Sequence, residues 1–192
     1  MEINSAVFGE FPVLETRRLV LRAIRPGDAR EIWAMRASGR VNQFIARPAM
    51  DTLEQAEALV ARTLKAFEQQ QGIGWAGVLK EHQTIIGTCG FNSIDHPNLR
   101  AEIGGELAVT QWGRNLALEA VTAIVQFGFE TLQLHSIEAK VSPGNKGAIA
   151  LLQHLGFEQE AHFRDRIWFN SQFSDMAVYS LIRNGAEAIQ KT

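Results

Sequence analysis

Between residues 14 and 22 apolar and charged positions partly alternate, which predicts a strand with one buried face. Pro26, Gly27 and Asp28 punctuate the chain, and Ile32, Trp33, Met35 and Met50 lie on either side of another turn-rich passage. The period then changes. Leu53, Ala56, Leu59, Val60, Thr63, Leu64 and Phe67 recur at the spacing of one helix face to about Gln71, and Thr52 with Gln55 predicts a capping box at the start. Three strands over 74–79, 84–91 and 102–109, with turns at 81–83 and 95–98, read as an antiparallel meander. A helix over about 113–132, a strand over 136–141, a helix over about 145–155 and strands around 161–168 and 175–182 complete the chain. This order predicts an α+β fold: a mixed, mostly antiparallel sheet of about seven strands with helices on its faces.

At 192 residues and 46% hydrophobic, the chain is read as one domain over 1–192, with a core at about 14–183 and short extensions. A formal charge of −2 supplies no general basic field, so nucleic acid is not expected as a partner and any polyanion site must be local. The lone Cys89 excludes an internal disulfide framework and fits a reducing cytosol; it reads as a small core residue. His82, His96, His135, His154 and His162 show no metal-ligand spacing, so no metal is expected. No secretory leader is read at the start, and no run reaches the ~18 apolar residues of a membrane span. A cytoplasmic protein with no membrane partner is expected. A homodimer is compatible with the sequence, which does not set the oligomeric state.

The most informative stretch is Val109-Thr110-Gln111-Trp112-Gly113-Arg114-Asn115-Leu116-Ala117-Leu118-Glu119-Ala120, where a strand meets a long helix through a small basic turn. The first N–H groups of a helix lack partners and the macrodipole adds positive charge there, so the turn is a candidate anion cradle. A second such junction, Ser142-Pro143-Gly144-Asn145-Lys146-Gly147-Ala148, opens the next helix with asparagine, and Leu155-Gly156-Phe157 closes it as a glycine C-cap would.

In this order, and with Thr16-Arg17-Arg18-Leu19-Val20-Leu21-Arg22, Ala101-Glu102-Ile103-Gly104 and Asp175-Met176-Ala177-Val178-Tyr179-Ser180-Leu181, these pieces resemble the GNAT superfamily of acyl-CoA-dependent N-acetyltransferases. They are similar to the branch that acetylates the N-terminal alanine or serine of ribosomal proteins. The resemblance implies that the strands 102–109 and 136–141 run parallel and splay into a V-shaped cleft that takes acetyl-CoA as co-substrate. It implies pantetheine paired with the backbone of Leu107, Ala108 and Val109, and pyrophosphate on the amides of Trp112, Gly113, Arg114, Asn115, Leu116 and Ala117, with Arg114 adding charge. On the second helix it points to Asn145, Ala148 and Leu152. Asn115 stands where the family has glycine, but asparagine tolerates left-handed backbone angles, so the turn is expected to be retained. Ala148 replaces a usual serine, and Leu152 a tyrosine that protonates the departing thiolate.

Direct transfer needs a route for the amine proton and donors for the tetrahedral oxyanion. Glu106 and Glu138 are the candidate bases, and Glu102 reads as a salt-bridge partner. Ser142, Asn145 or water would assist the thiolate, and a backbone N–H near Leu107 the oxyanion. Cys89 reads as too distant from the cofactor elements to act as nucleophile. Trp33, Trp75 and Trp168 read as core or cleft-wall aromatics, with Phe44 and Trp168 candidate linings of an acceptor pocket. The expected acceptor is a primary amine, a peptide N-terminus or a small amine, selected by the segment 25–71 and the loop 169–174. A non-catalytic acyl-CoA sensor is the alternative; a nucleotide-binding reading lacks the lysine and serine or threonine of a P-loop.

Overall fold

A computed structural model describes residues 2–183; the expected extension beyond 183 lies outside them. Strands β1 (Leu14–Glu15), β2 (Leu19–Ala23), β3 (Ile73–Leu79), β4 (Ile85–Asp95), β5 (Arg100–Leu107), β6 (Ser136–Val141), β7 (Glu158–Phe169) and β8 (Gln172–Ile182) form one sheet in the order β1-β2-β3-β4-β5-β6-β8-β7. Neighbours are antiparallel except β5 and β6. The α+β expectation is met with eight strands rather than about seven. The segment expected as one strand over 14–22 is a tight hairpin: Leu14 faces Leu21, and the Thr16 hydroxyl accepts the Leu19 N–H at 2.9 Å across the turn. Apolar alternation continues on both sides of that turn, which hides it in the sequence.

Among the described residues five α-helices cover the sheet: α1 (Ala29–Arg36), α2 (Gly39–Asn42), α3 (Leu53–Glu68), α4 (Leu116–Glu130) and α5 (Lys146–His154). No helix is read from the sequence between Asp28 and Met50, where α1 and, within the turn-rich passage, α2 form. They are too short to show much periodicity, yet Ala29, Ile32 and Met35 put one buried stripe on α1. Asp28, itself buried, is satisfied by the Arg22 guanidinium at 2.7 and 3.0 Å and by the Arg25 N–H at 2.7 Å. The capping box expected at Thr52 is not formed; the Gln55 side chain accepts instead from the Asp51 N–H at 2.9 Å.

Two cores result. Ile24, Ala29, Ile32, Ala56, Val60 and Ala76 pack α1 and α3 on one face of the sheet. On the other face α4 and α5 bury the larger core, centred on Trp75, whose ring meets Phe127, Phe11 and Phe91 edge-on at 5.5, 5.9 and 6.0 Å. The Trp75 indole N–H donates to the Pro12 carbonyl at 2.7 Å, tying the N-terminal segment over that core. Helix α5 ends as expected: Gly156 has φ +83°, Phe157 N–H bonds the Leu152 carbonyl and Gly156 N–H the Gln153 carbonyl, both at 3.0 Å.

Gly128 lets α4 approach the sheet, because a Cβ there would stand 2.8 Å from Phe91 Cζ and 3.0 Å from Ile137 Cδ1. Gly128→Leu is therefore expected to lose roughly 1–3 kcal/mol of stability to overpacking, although leucine favours helix over glycine. Thermal unfolding checks this; a variant melting at or above the wild type contradicts the packing described.

Candidate active site

Only three residue pairs join β5 to β6: Arg100 with Ser136, Ala101 with Ile137 and Glu102 with Glu138. Beyond them β5 runs on to Leu107 against β4, and β6 to Val141 against β8. Each strand keeps its outer partner and loses the inner one, so a V opens with unpaired strand edges as walls. Ala108 N–H donates outward to the Ile86 carbonyl at 2.8 Å, so by the alternation of the ladder Gly105 and Leu107 turn their backbone groups into the V. This corrects the expectation for Ala108, whose carbonyl also accepts from Gln111 N–H at 2.9 Å. Carrying the Glu102–Glu138 register four residues further sets Glu106 level with Ser142 on the opposite wall.

At the open end of β5 a single 3-10 turn, Val109–Gln111, leads through extended Trp112 into the start of α4. Gly113 at φ +74° and Asn115 at φ +58°, ψ 20° are both left-handed, so the turn keeps its shape with asparagine in the glycine position. Trp112 to Asn115 are exposed, and nothing lies within 4 Å of a Cβ built on Gly113. The Asn115 side chain caps nothing, so the first N–H groups of α4, those of Leu116 and Ala117 among them, remain free and the dipole adds positive charge. The Leu116 side chain is core, and only its backbone reaches the turn.

Two arginines frame this turn. Arg114 donates to the Gln111 side chain at 2.6 Å. Arg18 donates through Nη1 to the Arg114 carbonyl at 3.0 Å and through Nε to Glu119 at 2.7 Å. Burial alone would raise the Glu119 carboxyl. The Thr16 hydroxyl at 2.5 Å, the Arg18 N–H at 2.6 Å and the Arg18 guanidinium reverse that and hold it below its ordinary value. The Trp112 indole donates to the Leu107 carbonyl at 2.9 Å, with the Arg40 guanidinium stacked 5.5 Å above its ring.

On the other wall the Ser142 Oγ accepts from Gly144 N–H at 3.3 Å, which leaves its own hydroxyl proton to donate. Asn145 is the N-cap of α5, its side-chain oxygen accepting from Ala148 N–H at 3.1 Å. Leu152 is 6% exposed and belongs to the larger core, which corrects its expected place along the cofactor.

Glu106 is 2% exposed at its side chain and fully engaged. Oε1 accepts from Arg36 Nε at 2.5 Å and from the Thr88 hydroxyl at 3.2 Å, and Oε2 accepts from Arg47 Nη2. Glu138 sits at the closed end, its one ion-pair partner among the described residues being Arg100 at 3.9 Å, and beside it Glu102 is bound to Lys140 at 2.6 Å, as the salt-bridge reading holds. At ~3.3 Å per residue Glu138 is ~16 Å along the strands from the level of Leu107. Between the walls, the segment around α2 spans the mouth of the V: Arg40 reaches Trp112 on one side, and the Phe44 ring comes to 3.4 Å of a Cβ position on Gly144 on the other. Arg18, Arg36, Arg40, Arg47 and Thr88 escaped the sequence reading. Arg36 and Arg47 lie 70 and 59 residues from Glu106 along the chain, and no local pattern marks them.

Trp75 and Trp33 are core aromatics, the Trp33 indole nitrogen buried without a partner; Trp168 is exposed and meets Phe173 in a tilted pair with ring centres 4.7 Å apart. Among the described residues no three His, Cys, Asp or Glu side chains are grouped to hold a metal, and no helix is long and apolar enough to cross a membrane. Cys89 pairs with Gly105 on the neighbouring strand, so distance is not what sets it aside. Its side chain packs on the larger core, on the face away from Glu106, and burial pushes the thiol up to about 12.

Comparison with known proteins gives a family and a fold. The model of the acetyltransferase (GNAT) domain family matches residues 18–158. The chain is 32% identical over 173 residues to the uncharacterized N-acetyltransferase YoaA of Bacillus subtilis, covering 90% of this chain and 98% of that one. It is 26% identical to the ribosomal protein uS5 alanine N-acetyltransferase of Escherichia coli, over 88% of this chain and 89% of the relative. Among solved structures, Mycobacterium smegmatis RimJ in complex with CoA-disulfide superposes with a TM-score of 0.83 at 20% identity, covering 94% of this chain and 90% of that one, a likeness of fold.

With its thiol at about 12, Cys89 is protonated throughout the neutral range. Cys89 is half-buried by area, so at pH 8 the native protein is expected to react with an aromatic disulfide reagent at least about tenfold more slowly than the unfolded chain, which takes up one equivalent. Rapid labelling of the folded protein contradicts the burial described.

Proposed function

The chain belongs to the GNAT acetyltransferase family, and on that premise we propose that it transfers an acetyl group directly from acetyl-CoA to an α-amine, as at a peptide N-terminus. The observation that carries the reading is the continuous path formed by the free edge of β5, the left-handed turn at Gly113 and Asn115 and the unsatisfied start of α4. Pyrophosphate is assigned to the N–H groups from Trp112 to Ala117, with Arg114 and Arg18 adjacent. Pantetheine is assigned to the strand edge, through Gly105, Leu107 and Val109. That run sets the thioester near Leu107, whose N–H is the proposed oxyanion donor, one residue from the level of Ser142, the proposed proton donor to the departing thiolate.

The geometry favours no dedicated carboxylate base. Glu106 has both oxygens occupied by arginines, and Glu138 is too far down the cleft. We therefore assign the amine proton to water. This choice bears on the acceptor: at pH 7 roughly one in ten α-amines is unprotonated, against fewer than about one in a thousand alkylamines of the lysine kind. A neutral α-amine attacks without prior deprotonation and gives up its proton to water only after the C–N bond forms, whereas a polyamine nitrogen must first be deprotonated. The protein is proposed to work in the cytoplasm, with no nucleic acid or membrane as partner; the formal charge of −2 supports that reading.

Calorimetric titration with acetyl-CoA and thiol release over a panel of amines test the reading together. No binding at millimolar acetyl-CoA refutes it, and binding without release on any amine would make the chain an acyl-CoA sensor. Ser142→Ala is expected to lower kcat at least tenfold, within the ~10²–10⁴ attributed to general acid–base catalysis, while Glu138→Gln changes it by less than about twofold. The reverse order would return Glu138 to the mechanism. Asn115→Gly is expected to leave acetyl-CoA affinity equal or tighter, because glycine adopts the same left-handed angles without strain; a large loss means the asparagine side chain itself holds the ligand.

A further inference from the structure

The clamp on Glu106 contains more positive charge than a structural tie requires. One carboxylate faces two guanidiniums, and a third arginine, Arg62, stands close enough to repel Arg36. Burial lowers the pKa of Arg36, and Glu106 only partly offsets that cost. The donors are in surplus as well. Arg36 uses Nε alone, and Arg47 spends Nε on the Asn42 side chain at 2.8 Å and Nη2 on Glu106. Both terminal nitrogens of Arg36 and Nη1 of Arg47 have no partner among the described residues, although the two side chains are only 18% and 22% exposed. A partly desolvated guanidinium with free donors binds oxyanions well, because Coulomb attraction is less screened there and the planar fork matches carboxylate or phosphate.

The position of these donors relates them to the reaction. Glu106 directly precedes Leu107 and lies level with Ser142, so the arginines it gathers stand beside the proposed site of transfer. They are also held in place: Asn42 Nδ2 donates to the Arg36 carbonyl at 2.6 Å and the Ser38 carbonyl at 3.1 Å, while its oxygen receives Arg47. A ligand meeting them pays little for ordering.

We propose that Arg36 and Arg47, gathered by Glu106, form a subsite for an oxyanion on the acceptor, so that the enzyme prefers amines carrying a carboxylate or phosphate near the nitrogen and rejects polycations. The proposal rests on the acetyl-transfer reading and narrows its acceptor. The shared chemistry is the oxyanion; whether it belongs to an acidic peptide or to a small amino acid is decided by the arms of the test.

The peptide arm compares pentapeptides with one N-terminal residue and glutamate, glutamine or lysine at the second and third positions. The small-molecule arm compares alanine, alaninamide and spermidine. Wild-type kcat/KM is expected to favour the acidic member over the cationic one by about tenfold or more, mainly through KM, in at least one arm. Arg47→Met is expected to reduce that preference below about threefold, and Arg47→Lys to retain part of it. Melting and acetyl-CoA titration of both variants show that they are folded and loaded. A wild-type preference for lysine or spermidine overturns the proposal, as does an acidic preference that Arg47→Met leaves intact. Failure of the transfer reading is distinct: if acetyl-CoA binds and no amine is acetylated, calorimetry of the CoA-loaded protein with the same pentapeptides still decides the subsite, and equal affinity for the glutamate and lysine forms overturns it.

Discussion

The structure turns on the shortness of the seam between β5 and β6. Three pairs are enough to make eight strands one sheet, and few enough to let the two halves diverge. A longer seam would have closed the cleft with backbone hydrogen bonds and left no edge for a ligand. A sheet without the seam would have lost the fixed level relation between Glu106 and Ser142. What allows three pairs to suffice is the larger core beneath them. Helix α4 lies across the division, with Gly128 seated against Phe91 from the β4 side and Ile137 from the β6 side, so packing holds together what the ladder does not.

The two faces of the sheet consequently do different work. The face under α4 and α5 carries the bulk of the apolar burial and has Leu152, Cys89 and Tyr179 in it. The other face carries the polar groups of the cleft, from Glu102 and Glu138 at the closed end to Glu106 and its arginines near the open end. Residue type along β5 does not distinguish these carboxylates. Height along the cleft does, and it separates a surface ion pair from a buried clamp.

That difference explains how much could be read from the chain. The change of period at Leu53, the meander and the long apolar helix after Asn115 are local patterns, and the folded chain follows them to within a few residues. Gly113 and Asn115 were legible as a turn because left-handed backbone angles demand such residues. Other features have no local signature. The hairpin at Thr16 keeps its alternation through the turn, and α1 and α2 are too brief to establish a period. The clamp on Glu106 joins residues far apart in sequence, so it exists only once the helices are laid on the sheet. Glu138 and Glu106 were equivalent candidates as letters, and only the register of three pairs told them apart.

Arg18 joins the β1–β2 hairpin to the Arg114 carbonyl and, through Glu119, to the first turn of α4. The exposed loop from Trp112 to Asn115 is therefore shaped by the edge of the sheet, at the other end of the sequence. Its geometry is set when the domain folds, before any ligand arrives, and it needs no ligand to organise it. Substitutions at Thr16 and Arg18 therefore act on the shape of this loop as well as on the N-terminal edge of the sheet, and the two cannot be varied separately.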